Sequence, residues 1–138
     1  MSMTRKEFLL RSGSAMALSA LGLSIESCSD DDFPVPDLGG GLTVNMDETP
    51  FTEILSRGWV LHPDENVLIA NWNDEIRAFT SVCTHEGCAR NWIFGRGVFT
   101  CRCHSSKFNH RGEVVSGPAE KNLAEFAVER DGNILRIV

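Results

Sequence analysis

The chain contains no tyrosine, so no phenolic hydroxyl is available in it as a hydrogen-bond donor. Positive charge is also scarce: 13 Lys and Arg stand against 19 Asp and Glu, a net charge of −6, which argues against nucleic acid as a partner. No apolar run suits a membrane crossing, since the stretch from Ser12 to Ile25 has fourteen residues where about 20 are needed. Internal repeats are absent, and so is any nucleophile or general acid/base pair that would mark a stand-alone enzyme. What remains, 42% hydrophobic and 23% charged over 138 residues, is ordinary for one folded domain and excludes a disordered chain.

Cysteine and histidine are few but concentrated. Four of the five cysteines and two of the four histidines fall between Cys83 and Ser106, as Cys83-Thr84-His85-Glu86-Gly87-Cys88 and Cys101-Arg102-Cys103-His104-Ser105-Ser106. Within them lie Cys-x-His and, fifteen residues on, Cys-x-x-His. Two thiolates and two imidazoles suit tetrahedral zinc or an iron-sulfur cluster, because both take sulfur and nitrogen donors. The spacing separates the two. Cys83 and His85 have one residue between them, which is tight for chelating a single ion. A two-iron cluster relaxes this, since one iron can take both thiolates and the other both imidazoles. Cys88 and Cys103 remain, one in each loop, and can form a disulfide if their α-carbons approach within about 7 Å.

These boxes resemble those of the Rieske [2Fe-2S] family, Cys-Thr-His-x-Gly-Cys and Cys-x-Cys-His-x-Ser, matched at Cys83, Thr84, His85, Gly87, Cys88, Cys101, Cys103, His104 and Ser106. The resemblance covers residues 42–138 and points to the disulfide-containing, exported bacterial type. It implies that Cys83 and Cys101 bind one iron and His85 and His104 the other through Nδ1, that Cys88 and Cys103 form a disulfide, and that Ser106 donates a hydrogen bond to a bridging sulfide. Gly117-Pro118-Ala119 resembles the family's proline loop, which covers the cluster from a third side. There are departures. Glu86 stands where an apolar residue is usual, Arg102 and Ser105 where Pro and Gly are usual, and Phe108 where high-potential members carry a tyrosine.

The first 27 residues read as a separate segment. Arg5-Lys6 followed by an apolar, small-residue run is the layout of an export signal and resembles a twin-arginine signal with lysine in the second place. Ile25-Glu26-Ser27-Cys28 resembles a bacterial lipobox, which makes Cys28 the candidate lipidation site and explains an otherwise odd thiol. Residues 28–41, with an Asp run, two prolines and three consecutive glycines, read as a flexible tether. The expected location is the periplasmic side of the membrane or the cell surface, held by a lipid anchor.

From Leu42 onward short β-branched and aromatic runs predict strands over 42–46, 58–61, 66–70, 75–79, 97–100 and 134–138, with Asn73-Asp74, Gly95-Arg96-Gly97 and Asp131-Gly132-Asn133 as turns. Only 51–57 and 120–125 have the pattern for a helical turn. The expected fold is all-β, and the family resemblance adds stacked antiparallel sheets with a small cluster-binding subdomain of two metal loops and a proline loop. Trp59, Trp72, Trp92, Phe79, Phe94, Phe99 and Phe126 are expected to pack the core and the loops, and His62 and His110 to be ordinary surface histidines.

Between Gly87 and Gly112 stand five basic residues, Arg90, Arg96, Arg102, Lys107 and Arg111, and no acidic one. One such charge about 10 Å from a cluster, at an effective dielectric of about 20, favours the reduced state by about 1.7 kcal/mol before screening. It would also steer an acidic partner. The expected function is one-electron transfer between a quinol or oxidoreductase donor and an acceptor such as a cytochrome. Two other assignments fit the same residues: a small subunit of a molybdenum oxidoreductase similar to arsenite oxidase, and a structural zinc-binding lipoprotein.

Overall fold

The computed structural model describes residues 35–138. The segment expected to be an export signal, Cys28 and the first part of the expected tether lie outside the described residues.

Among the described residues eleven strands and one helical turn follow one another: β1 (Leu42–Asn45), α1 (Glu53–Ser56), β2 (Trp59–Leu61), β3 (Val67–Trp72), β4 (Glu75–Thr80), β5 (Trp92–Gly95), β6 (Val98–Cys101), β7 (Ser106–Asn109), β8 (Val114–Ser116), β9 (Glu125–Phe126), β10 (Val128–Asp131) and β11 (Ile134–Ile137). They form three antiparallel sheets, ordered β1-β11-β10, β2-β3-β4-β9 and β5-β6-β7-β8. The all-β fold expected from the sequence is therefore present. Among the described residues no helix is long and apolar enough to cross a membrane.

The second sheet is covered on both faces, and its sequence shows why. Side chains alternate across a strand, yet Val67, Leu68, Ile69 and Ala70 of β3 are all buried. Val67 and Ile69 join Val44, Ile54, Leu135 and Ile137 in one core, while Leu68 and Ala70 join Phe79, Phe99, Phe108 and Leu123 in another. A run apolar on both faces suits only a strand with a layer on each side. The second core links this sheet to the β5-β8 sheet: Phe79 of β4 meets Phe99 of β6 edge-on, ring centroids 5.6 Å apart. Burying one such ring contributes about 1.5–3 kcal/mol.

Two-residue turns supply two of the hairpins. Asn73 and Asp74, with φ of 53° and 65°, join β3 to β4, and Arg96 and Gly97, with φ of 52° and 74°, join β5 to β6. Such left-handed pairs match the twist of antiparallel strands. Gly112 needs glycine for two reasons. Its φ is +77°, and a Cβ there would stand 2.7 Å from the Phe79 ring.

The structure departs from the sequence expectation at 120–125, which is not helical. Its backbone bonds outward instead: Leu123 N–H donates to Gly112 O, Ala124 O accepts from Thr80 N–H, and the Asn122 side chain accepts from Val114 N–H. At the other end, Leu38 packs against the core and Gly39 N–H bonds the Asp37 carboxylate, so packing begins within residues 28–41.

Candidate metal centre

Two loops of the β5-β8 sheet region carry the two boxes. The first follows β4 and folds back on itself, with Gly87 N–H donating to Cys83 O and Cys83 N–H to Cys88 O. Gly87 supplies the positive φ, 72°, that this reversal needs. The second is the β6–β7 turn. Cys101 ends β6, Ser106 begins β7 and pairs with it, and Ser105 N–H closes the turn onto Cys101 O with a φ of 66°. Strand alternation then turns Cys101 and Ser106 inward and leaves Arg102, Cys103, His104 and Ser105 exposed.

Three ties brace these loops, two between them and one across the base of the first. Cys88 and Cys103 form a disulfide with α-carbons 6.6 Å apart. Arg102 N–H donates to Asn91 O at 2.7 Å, and the Trp92 indole N–H donates to Ser81 O at 2.8 Å. A third segment closes on them. Ala119 N–H donates to the buried Ser106 hydroxyl at 3.0 Å, just after the cis Gly117-Pro118 peptide, and Thr84 donates its hydroxyl proton to Lys121 O.

Inside this frame Cys83 and Cys101 are unpaired and buried, 2% and 1% exposed. Burial pushes the Cys83 thiol up to about 11; the His85 backbone N–H and the Ser106 hydroxyl donate to its sulfur and pull the other way, while the Cys101 thiol adds to the rise. The His85 and His104 rings lie 4.8 Å apart, nearly perpendicular at 76°. His85 Nδ1 is buried without a hydrogen-bond partner. Both Nε2 atoms face Glu86, whose carboxylate oxygens stand 3.9 Å from that of His85 and 3.2 Å from that of His104.

The residues present fit a [2Fe-2S] cluster. An orphaned buried nitrogen is costly unless something occupies it, and here it belongs to a histidine two positions from a buried thiol. The donor set is soft sulfur and imidazole nitrogen, the chemistry of an iron-sulfur site with mixed ligands.

Other expectations fare differently. Trp92 and Phe108 are buried, ring centroids 5.8 Å apart, beneath the loops. His62 is not a surface residue. It is 8% exposed, its Nδ1 accepts from the Asp64 and Glu65 N–H groups, and Phe51 stacks 5.2 Å away. Burial lowers its pKa. Arg90 is committed as well, donating to His62 O and to Pro63 O at 3.2 and 2.6 Å, so it braces the first loop against the β2–β3 turn. No sequence signal marked that tie. A cavity of about 380 Å³ lies along β4 and β9, lined by Glu75, Arg77, Glu125 and Val128, and holds none of the site residues.

The Rieske [2Fe-2S] domain family model matches residues 43–127. The cytochrome b6-f complex iron-sulfur subunit of Prochlorococcus marinus subsp. pastoris is 31% identical over 99% of this chain and 85% of that protein. The subunit of the same name from Chlorobaculum tepidum is 32% identical over 52% of this chain and 40% of its own length. Among solved structures, the cyanobacterial plasma membrane Rieske protein of Synechocystis PCC 6803 superimposes with a TM-score of 0.56 at 28% identity, over 70% of this chain and 98% of that one. With the family model and the full-length relative in agreement with the geometry of the loops, the chain belongs to the Rieske [2Fe-2S] family and is an electron-transfer protein whose cofactor is a [2Fe-2S] cluster.

Proposed function

We propose that Cys83 and Cys101 hold one iron of the cluster and His85 and His104 the other, and that the chain passes single electrons from a quinol or protein donor to an acceptor such as a cytochrome. The observation that carries the reading is the donor set: two buried unpaired thiols and two adjacent imidazoles, one of each from each loop, with His85 Nδ1 buried and unpartnered. When bound, the cluster supplies one-electron chemistry at about −150 to +300 mV, above all-cysteine clusters because imidazoles bring no negative charge. The chain's own residues do the rest. The Cys88–Cys103 disulfide keeps the two loops in one geometry across both redox states. Trp92 and Phe108 exclude water from the inner side. Ser106 donates a proton toward the sulfur side, favouring the more negative state.

The exposed turn 102–105 presents His104 to a partner. The names of the relatives, iron-sulfur subunits of cytochrome b6-f complexes, support a quinol donor and a cytochrome acceptor. Exposed Arg102 and Lys107 support an acidic docking face on that acceptor. Residues 1–27 act as the export signal, Cys28 takes the lipid, and the part of 28–41 that precedes the packed Leu38 tethers the domain to the membrane surface, supported by the order of basic, apolar and cysteine residues in the sequence.

Metal analysis and paramagnetic resonance of the purified protein test the ligand set. Iron with a rhombic signal on one-electron reduction, lost when His85 or His104 is replaced by Ala, is the expected result. Zinc in place of iron, with no signal after anaerobic iron and sulfide loading, would overturn it. Labelled fatty acid is expected on the wild type and not on Cys28→Ala; an unlabelled wild type refutes the anchor.

A further inference from the structure

Glu86 stands in the first box where the family usually has an apolar side chain, and it lies across both histidines at once. Its two carboxylate oxygens face the two Nε2 atoms, one at 3.2 Å from His104 and one at 3.9 Å from His85, and the side chain is 61% exposed. Residues on two separate loops thus converge on one carboxylate. Among the described residues, this cluster of His85, Glu86 and His104 brings its ligand-type atoms within 4.8 Å of one another.

The geometry points to Glu86 as the residue that lowers the reduction potential of this protein, by placing a fixed negative charge against the outward edges of both imidazoles. This inference rests on the proposed ligand set, in which Nδ1 of each ring faces iron and Nε2–H faces outward. An imidazole bound to ferric iron is electron-poor, and its Nε2–H is a strong donor to an anionic acceptor. Electron uptake makes the site more negative and weakens that interaction. The carboxylate therefore favours the oxidised state, and it opposes the exposed basic residues Arg102 of the facing loop and Lys107 of β7, which favour the reduced one. The effect is a charge effect at contact distance, reduced by the solvent that reaches an exposed carboxylate. Glu86 is in these terms a tuning residue. It touches the rings and receives no electron itself.

The test is a potentiometric titration of the holoprotein against a one-electron mediator, on the acid plateau where the midpoint no longer changes with pH. Wild type, Glu86→Gln, Glu86→Leu and Glu86→Asp are compared by the amplitude of the reduced-cluster resonance. Glu86 is 61% exposed and belongs to neither apolar core, and the iron content and unfolding midpoint of each variant are compared with the wild type so that a loading or folding defect is read separately from a shift in potential. Removing the charge by Gln or Leu is expected to raise the reduced-to-oxidised ratio at a fixed potential about three- to tenfold, where tenfold is 59 mV for one electron. Asp, which keeps the charge, is expected to recover at least half of the shift. A ratio changed by less than about 1.5-fold in Gln and Leu overturns the inference, and so does an equal shift in Gln and Asp. Failure of the ligand set is distinguishable, because the wild type would then give no resonance, and the inference falls with it.

Discussion

Replacing Ser106 by Ala removes one oxygen from a fully buried position and touches two hydrogen bonds. The hydroxyl oxygen accepts from Ala119 N–H at 3.0 Å, which leaves its proton free to donate toward the sulfur side of the proposed centre. Losing the first leaves the N–H of Ala119, a residue 3% exposed, without a partner. That costs about 1–3 kcal/mol of stability. Losing the second falls unequally on the two redox states. A hydrogen bond to a charged acceptor is worth about 1.5–3 kcal/mol, roughly twice a neutral one, and reduction makes the sulfur side more negative. If about half of the bond, roughly 0.75–1.5 kcal/mol, belongs to the reduced state alone, the midpoint falls by about 30–65 mV, since a tenfold change is about 59 mV for one electron. The assay is a redox titration of wild type and Ser106→Ala, with chemical denaturation of both. Lower stability at an unchanged potential would refute the electronic half of the argument and leave Ser106 as a clip for the Gly117-Pro118-Ala119 segment. An unchanged stability would refute the other half.

Three further outcomes are expected. Opening the Cys88–Cys103 bridge, by Cys88→Ser with Cys103→Ser, frees a loop of sequence separation 15, and denaturation is expected to show a loss of about 3 kcal/mol that added thiol reductant does not increase. His62 has a folded pKa lowered from 6.5, first by burial, with Arg90 acting the same way and Glu65 and Asp64 against it. The unfolded chain therefore takes the proton first, so its contribution to stability is complete above about pH 6.5 and is lost as pH falls below it toward the lowered value; the denaturation midpoint should drop from pH 7.5 to pH 5, less steeply in His62→Gln. Leu68 and Ile69 are neighbours on β3, both fully buried in different cores; each truncation to Ala should cost about 2–5 kcal/mol, while only Leu68→Ala, which shares its core with Cys83 and Cys101, should change the midpoint potential.

How much of this was readable in the residues depended on whether a feature is set by local spacing. Metal chelation demands fixed residue types at short fixed intervals, so the two boxes with Cys83, His85, Cys101 and His104 stand out as a candidate site, whereas the pairing of Cys88 with Cys103 came from the family resemblance and is present in the structure. Strands β1, β3, β4 and β11 were legible because they are rich in apolar residues. β7, Ser106-Lys107-Phe108-Asn109, was not, since only Phe108 in it is apolar; its inward face is completed by a serine that earns burial through the Ala119 bond. β10, Val-Glu-Arg-Asp, takes its order from pairing with β11 and carries little pattern of its own. Residues 120–125 have helical composition, yet their backbone groups are claimed by Gly112 and Thr80. His62 and Arg90 meet across 28 positions, a distance at which composition carries no information.

The two cores divide the work of the molecule, and this explains where variation can enter. The core of Val44, Ile54, Val67, Ile69, Leu135 and Ile137 contains no site residue, whereas the other contains Cys83, Cys101, Phe79 and Phe108. Thiols built into a close-packed interior cannot move without disturbing it. The sulfur side of the proposed centre is thereby set by the fold. The histidine side is different: His104 is 46% exposed, His85 26%, and the side chain they face is Glu86. Glu86 is 61% exposed and belongs to neither core, so charge there can vary at little cost to stability. On the proposed ligand set, the position where this chain carries Glu86 in place of the family's usual apolar residue is therefore one where a change is expected to act on the electron's energy more than on the packed cores.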